Sequence, residues 1–288
     1  MRVVRPPFPK RRPAPRPAAR VGPSPAAEAA SLACRPTKAF RLRSLVATTA
    51  WTLLGLSCSS AGSCLGGASS PTPPPEWLPK VPEGYGEPFQ SGTVLGVQDR
   101  RLRLPSGQPC LPEAPACTSA LEGLRGQRLV FEVDEKLKMA DLSAALAALG
   151  VALGPKDQAC LETWDGKQRR CVPFRPFSGD DFGAWLDADL PLGKIRVVMR
   201  TDGLEVVTDR GKIPGPDRFG PSLPSPGARP DYAGMEDAAA KLASRFPDET
   251  TAGLVPSASI PVSQAARVLS LLSGPGGERF GQTFLVYP

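Results

Sequence analysis

Four cysteines beyond position 100 (Cys110, Cys117, Cys160 and Cys171) are the residues whose type and spacing most readily do chemistry. They fall in two close pairs. Neither pair is a C-x-x-C arrangement, and the chain has no histidine to complete a zinc site, so the pattern argues against metal. In an oxidising compartment the simplest disulfides join Cys110 to Cys117 and Cys160 to Cys171, although four cysteines allow three connectivities and buried free thiols are the other reading. The lack of histidine also removes the usual general base and the Ser-His-Asp and Cys-His arrangements. No Walker A loop is present. The glycines of 274–281 follow a helical pattern and enter a strand pattern, the wrong order for a dinucleotide fingerprint, and read as a turn. Asp180, Asp181, Asp187 and Asp189 form one acidic cluster. Oxygen ligands suit Ca²⁺, but an EF-hand spacing and a closing Glu are missing, so the cluster reads as a solvated linker. Trp164 and Trp185 have two readings, an interface or packing near the hairpin or linker, and packing is the commoner for isolated Trp. The expectation is a chain with no catalytic, cofactor-binding or metal-ligating residue; a histidine-free hydrolase would need convergent carboxylates that the sequence does not reveal.

The elements that hold these residues come from periodicity. In the first half, 93–97, 101–104 and 128–133 read as strands. Met139, Leu142, Leu146 and Leu149 then recur on one face of a helix that Gly150 ends. Residues 160–164 and 170–174 read as a hairpin around Asp165-Gly166. In the second half, 194–200 and 204–209 flank Asp202-Gly203 as another hairpin, and a long Pro/Gly loop follows. Met235, Ala238, Ala239, Leu242 and Phe246 form a helical stripe, 250–255 a strand, Val262 to Leu272 a second stripe opened by Pro261, and 282–287 a last strand.

The halves align without gaps. Leu137, Met139, Leu142, Leu146 and Leu149 fall on Ile260, Val262, Ala265, Leu269 and Leu272, each 123 residues later. The expected fold class is α+β: two small sheet-and-helix modules in tandem, at 84–175 and 190–288, with helices on one face of each sheet.

Residues 204–287 resemble the periplasmic domain of the ExbD/TolR biopolymer-transport family. The resemblance rests on the order hairpin, helix, strand, Pro-started helix and strand, and on Ile260-Pro261-Val262-Ser263-Gln264-Ala265-Ala266-Arg267-Val268-Leu269-Ser270-Leu271-Leu272, which has the look of V-P-Y-x-x-V-x-x-V-L-x-x-L. Residues 129–149 are similar to the same piece, with Asp134 where the second copy has Ser257. The resemblance implies a non-catalytic envelope domain with exposed edges that pairs with itself, as a homodimer, or with other envelope proteins. Family members also carry a membrane helix with an essential Asp that serves a proton-driven motor. No carboxylate lies between Ser44 and Pro75, so motor function is not carried over, and a membrane-anchored ExbD-type transporter subunit working with a motor partner is the alternative reading.

The net charge of +7 is a tail effect. Residues 1–43 hold eleven of the 35 basic residues and one of the 28 acidic ones, which leaves 24 basic and 27 acidic residues in the remainder. The high pI therefore gives no argument for nucleic-acid binding by the folded part. The basic Pro-rich stretch itself has two readings: contact with anionic lipid or nucleic acid, or a disordered extension ahead of the true start. Lys38, Arg41 and Arg43 then precede the uncharged run from Leu45 to Leu56. A positive segment, a short apolar core and small residues make an export signal at 44–58, and 59–83 reads as a Pro/Ser-rich linker. Leu53-Leu54-Gly55-Leu56-Ser57-Cys58 resembles a bacterial lipoprotein box, apart from Gly55 where the family prefers Leu. That resemblance implies lipidation at Cys58 and a lipid-anchored chain on the periplasmic face of an envelope membrane; a cleaved signal and a membrane span are the other readings. Metabolic labelling with a fatty acid is expected to mark the native chain and to be lost in Cys58→Ala, and equal labelling of the two would exclude the anchor.

Overall fold

The computed structural model describes residues 76–110, 115–150, 158–189, 193–227 and 229–287, all within one compact unit, Gly67–Pro288. The basic stretch, the segment 44–58 expected to be an export signal, and Cys34, Cys58 and Cys64 lie outside the described residues. Short β1 (Glu87–Pro88) precedes the hairpin of β2 (Thr93–Gln98) and β3 (Arg101–Arg103), then β4 (Pro109–Cys110), α1 (Pro115–Glu122), β5 (Leu129–Glu132) and α2 (Met139–Gly150). The hairpin of β6 (Ala159–Trp164) and β7 (Arg169–Phe177) leads to α3 (Gly179–Asp187) and to a third hairpin, β8 (Arg196–Arg200) and β9 (Gly203–Thr208). Two-residue β10 (Gly211–Lys212) and β11 (Leu223–Pro224) come next, then α4 (Tyr232–Arg245), β12 (Thr251–Pro256), α5 (Val262–Ser273) and β13 (Gln282–Val286).

All the strands join one mixed sheet in the order β10-β9-β8-β12-β13-β7-β6-β5-β2-β3-β4, with β1 beside β7 and β11 beside β9. In the first half β2, β5 and β6 run parallel, and β3 returns beside β2. In the second half β8, β12 and β13 run parallel, and β9 returns beside β8. Strand β7 joins the two sets, antiparallel to β6 and parallel to β13. The architecture is α+β.

One apolar core covers one face of this sheet and draws on both halves: Leu95, Phe131, Leu146 and Leu161 share it with Val197, Leu254, Leu269 and Leu285. The stripes of α2 and α5 supply much of it. The other face is covered where Phe182 and Trp185 of α3 pack on Phe177, Phe284 and Val286. Strand β13 therefore reads as an apolar run without alternation, because both of its faces are covered.

Two sequence expectations are corrected here. The acidic linker is a helix: Ser178 and Asp181 form a capping box at the start of α3, and Phe182 and Trp185 anchor it to the sheet. Asp180 and Asp181 occupy the first turn, where carboxylates complement the helix dipole. The fold also starts earlier than Glu83. Leu78 is buried, and the Val81 N–H and Trp164 carbonyl bond at 2.9 Å, so residues 76–83 pack as part of the unit.

Backbone geometry recurs at the 123-residue interval. Helices α2 and α5 start and end at that interval. The Leu137 N–H bonds the Asp134 carbonyl as the Ile260 N–H bonds that of Ser257. The two segments also bond each other reciprocally: Met139 N–H to Ile260 carbonyl and Val262 N–H to Leu137 carbonyl, Ala140 N–H to Ala258 carbonyl and Ser263 N–H to Glu135 carbonyl. The hairpins match at an interval of 102, Gln98 opposite Arg101 as Arg200 is opposite Gly203.

Because the core is shared, a defect in either half should weaken the whole unit. Leu146 and Leu269 are both fully buried. Leu146→Ala and Leu269→Ala are each expected to cost about 2–5 kcal/mol. Denaturant unfolding followed separately at Trp164 and Trp185 should still show a single shared transition, and two separate transitions would refute the shared core.

Candidate interaction site

Strand β3 is short because Pro105 follows it closely. Proline has no N–H to donate and cannot continue a strand inside a sheet. The chain turns instead, with the Gly107 N–H on the Leu104 carbonyl at 2.8 Å, and returns as β4. As a result β3 pairs β2 only from Gly96 to Gln98. In the second half β9 continues to Thr208 and covers β8 from Arg196 to Arg200.

The start of β2 is therefore an edge. Thr93 and Leu95 direct their backbone groups at β5, and the Thr93 N–H meets the Arg128 carbonyl at 2.8 Å. Neighbouring residues of a strand point opposite ways, so the N–H and carbonyl of Val94 point away from β5 into open space. A groove of about 800 Å³ runs along this edge. Trp77, Leu104 and Leu124 give it apolar walls, Arg103 a cation, and Glu132 and Asp134 carboxylates. Gly96 helps shape the floor: a Cβ there would stand 3.4 Å from the Cβ of Arg103, which lies over it. An extended peptide laid antiparallel on β2 would find the Val94 donor and acceptor, an apolar wall and charges of both signs.

Beside the groove a row of charges crosses the outer face. Arg103, Gly96 and Glu132 are in register, and the pairing of Phe131 with Leu161 places Glu162 next to Glu132. Glu162 is 2% exposed. Burial raises its carboxyl above the ordinary Glu range; Arg169, 3.0 Å away, opposes the rise and the charge of Glu132 adds to it. Asp165 in the following turn has the opposite balance. Burial would raise its carboxyl too, but Arg170 Nε donates to it at 2.6 Å and the N–H groups of Gln168, Lys167 and Gly84 donate as well, which brings it to about 2.

The cysteines are placed as the spacing favoured. Cys110 and Cys117 lie at disulfide distance with Cα atoms 5.1 Å apart and tie β4 to α1; Cys160 and Cys171, 5.4 Å apart, tie β6 to β7. The second pair sits diagonally in the hairpin, because Cys160 faces Pro173 and Cys171 faces Glu162. Together with Val130 and Phe89 it makes a small apolar patch on the outer face. Trp185 packs edge-on to Phe284 at 4.8 Å, and Trp164 ends β6 beside residues 79–81. The glycines after α5 make its C-terminal turn, with Gly274 at φ 78°. Among the described residues no group of three or more acidic or cysteine side chains could hold a metal, and no helix is long and apolar enough to cross a membrane. Sequence reading missed the groove; the one available signal was Pro105, two residues beyond the end of the return strand.

Comparison with family models, with curated proteins and with solved structures returns no match for this chain.

The two buried carboxylates should affect stability with opposite signs. The folded value of Asp165 lies below its ordinary 3.8, so its contribution is present above pH 4 and lost as pH falls toward about 2. Asp165→Asn should lack that loss and cost about 3 kcal/mol or more near neutral pH, by leaving Arg170 unpaired. Glu162 has a raised value, so ionising it opposes folding above its ordinary 4.5, and Glu162→Gln should be the more stable protein at neutral pH. Urea midpoints measured across this pH range test both signs.

Proposed function

We propose that this chain is a non-catalytic component of a bacterial cell envelope, held to a membrane through Cys58, that binds other envelope proteins or a second copy of itself. In this reading residues 84–175 and 190–288 are two copies of one module resembling the ExbD/TolR periplasmic domain, and the protein is an accessory in biopolymer transport or envelope integrity. The recurrence of hairpin, helix, strand, helix and strand supports the duplication, as do the reciprocal hydrogen bonds at an interval of 123. The observation that carries the binding role is the open edge at Val94. One copy has its hairpin edge closed by β9, while the other leaves the same place as a groove. Strand addition at such an edge takes affinity from main-chain hydrogen bonds and specificity from the side-chain pockets beside it.

Val94→Pro is the discriminating variant. It removes the Val94 N–H and leaves the bonds from Thr93 and Leu95 to β5 in place. The expected result is at least a tenfold loss of self-association by sedimentation, or of association with a cross-linked envelope partner, with the thermal transition close to that of the native protein. Undiminished association would refute binding at this edge.

A further inference from the structure

A second pocket, of about 400 Å³, lies where the starts of α2 and α5 meet. Lys80, Lys136, Arg229 and Arg267 line it, with Glu135 as its acidic residue and Tyr232 as its aromatic one. None of these four cations forms an ion pair among the described residues. Arg267 is held in place: its guanidinium stands 4.3 Å above the Tyr232 ring, and its Nε–H is buried without a hydrogen-bond partner. Arg229 lines the same pocket, and its charge and that of Arg267 both oppose the burial that raises the Tyr232 hydroxyl. Gathering like charges around one cavity opposes folding.

The fold supplies its own control. The positions 123 residues away from Lys136 and Arg267 hold Ser259 and Ala144, on the same turn and the same helix face of the other half. Those residues support the same helix start and the same reciprocal hydrogen bonds. The architecture therefore does not require cations at 136 or 267. The helix end does not account for them either, since the Val262 and Ser263 N–H groups already bond the Leu137 and Glu135 carbonyls.

We propose that this pocket binds a phosphate group. Four cations against one carboxylate match a multiply charged anion, and guanidinium forks suit the several oxygens of a phosphate. Ser263 adds a hydroxyl and Gln264 an amide to the lining. The volume exceeds that of a bare phosphate, which leaves room against Tyr232 for the body of an ester. The ester has two sources, a soluble phosphate compound or the headgroup of an anionic lipid.

The test uses the full chain and the double variant Lys136→Ser, Arg267→Ala, which places at each site the residue its counterpart already carries. Thermal unfolding is followed in inorganic phosphate against chloride at equal ionic strength, and with phosphatidylglycerol against phosphatidylcholine vesicles. A ligand that binds the folded state alone raises the transition in proportion to the logarithm of its concentration over Kd. The basic N-terminal stretch is common to both proteins, so the difference between them isolates the pocket. At least a tenfold weaker apparent phosphate affinity in the double variant supports the site and names a soluble phosphate. A vesicle response that the variant loses, without a phosphate response, supports it and names a lipid headgroup. Equal behaviour of the two proteins toward both ligands overturns the proposal. Should the double variant lack a cooperative transition, each single variant is judged by the same criteria.

Discussion

The first N–H groups of an α-helix have no partner inside their own helix, and in a packed unit they must find one elsewhere. Here the starts of α2 and α5 solve this for each other. Met139 and Ala140 donate to Ile260 and Ala258, and Val262 and Ser263 donate to Leu137 and Glu135. The Pro261 cap of α5 offers no side-chain acceptor, so its first turn depends on the other half's backbone. Neither half could be cut away without stranding donors in the interior of the remaining one. The shared core and the continuous sheet follow the same logic, since an exchange at the helix starts holds both sheet segments edge to edge around β7.

Near-symmetry of this kind is informative where it fails. Pro105 shortens one hairpin and opens a groove beside β2, and the matching hairpin stays closed through Thr208. Lys136 and Arg267 charge one side of the helix contact, where the matching positions on the other side hold the uncharged Ser259 and Ala144. Each departure replaces a residue the fold accepts with one that presents backbone or charge to solvent. Both sit on the framework of sheet and helix starts, so the framework can position them without being altered by what they bind.

Strand β7 joins the two parallel sets, and its chemistry is dense. Cys171 joins it to β6, Arg170 holds the buried Asp165, and Arg169 reaches the buried Glu162. Its far edge is shared, with β1 along Arg170 and Cys171 and β13 along Arg175 to Phe177. The hairpin is thus fastened covalently, electrostatically and by main-chain pairing at the place where the two parallel sets meet. The opposed pKa shifts of Asp165 and Glu162 show how local donor supply decides what burial does to a carboxylate: three backbone N–H groups and a guanidinium depress the first, while one exposed arginine fails to offset desolvation of the second.

Periodicity and turn chemistry, which are local, were readable directly. The nine described strands of three residues or more, the stripes of α2 and α5, the Asp165-Gly166 and Asp202-Gly203 turns and the spacing of the cysteine pairs all lie in residues a few positions apart, and the 123-residue interval follows from comparing two such local patterns. Helix α3 was not legible because three Asp and two Gly among its nine positions read as a solvated linker, and Phe182 and Trp185 become an anchor only once Phe284 from the far end of the chain stands opposite them. The joining of the halves was hidden because backbone hydrogen bonds carry no side-chain signature; nothing in Leu137 or Ile260 announces a partner in the other half, Val262 for the one and Met139 for the other. The groove and the cation pocket were hidden for a related reason. An edge is open, and a charge unpaired, only with respect to what the rest of the chain brings beside it. Composition and spacing determined which elements form, and the tertiary arrangement alone decided which backbone edge and which cations were left facing solvent.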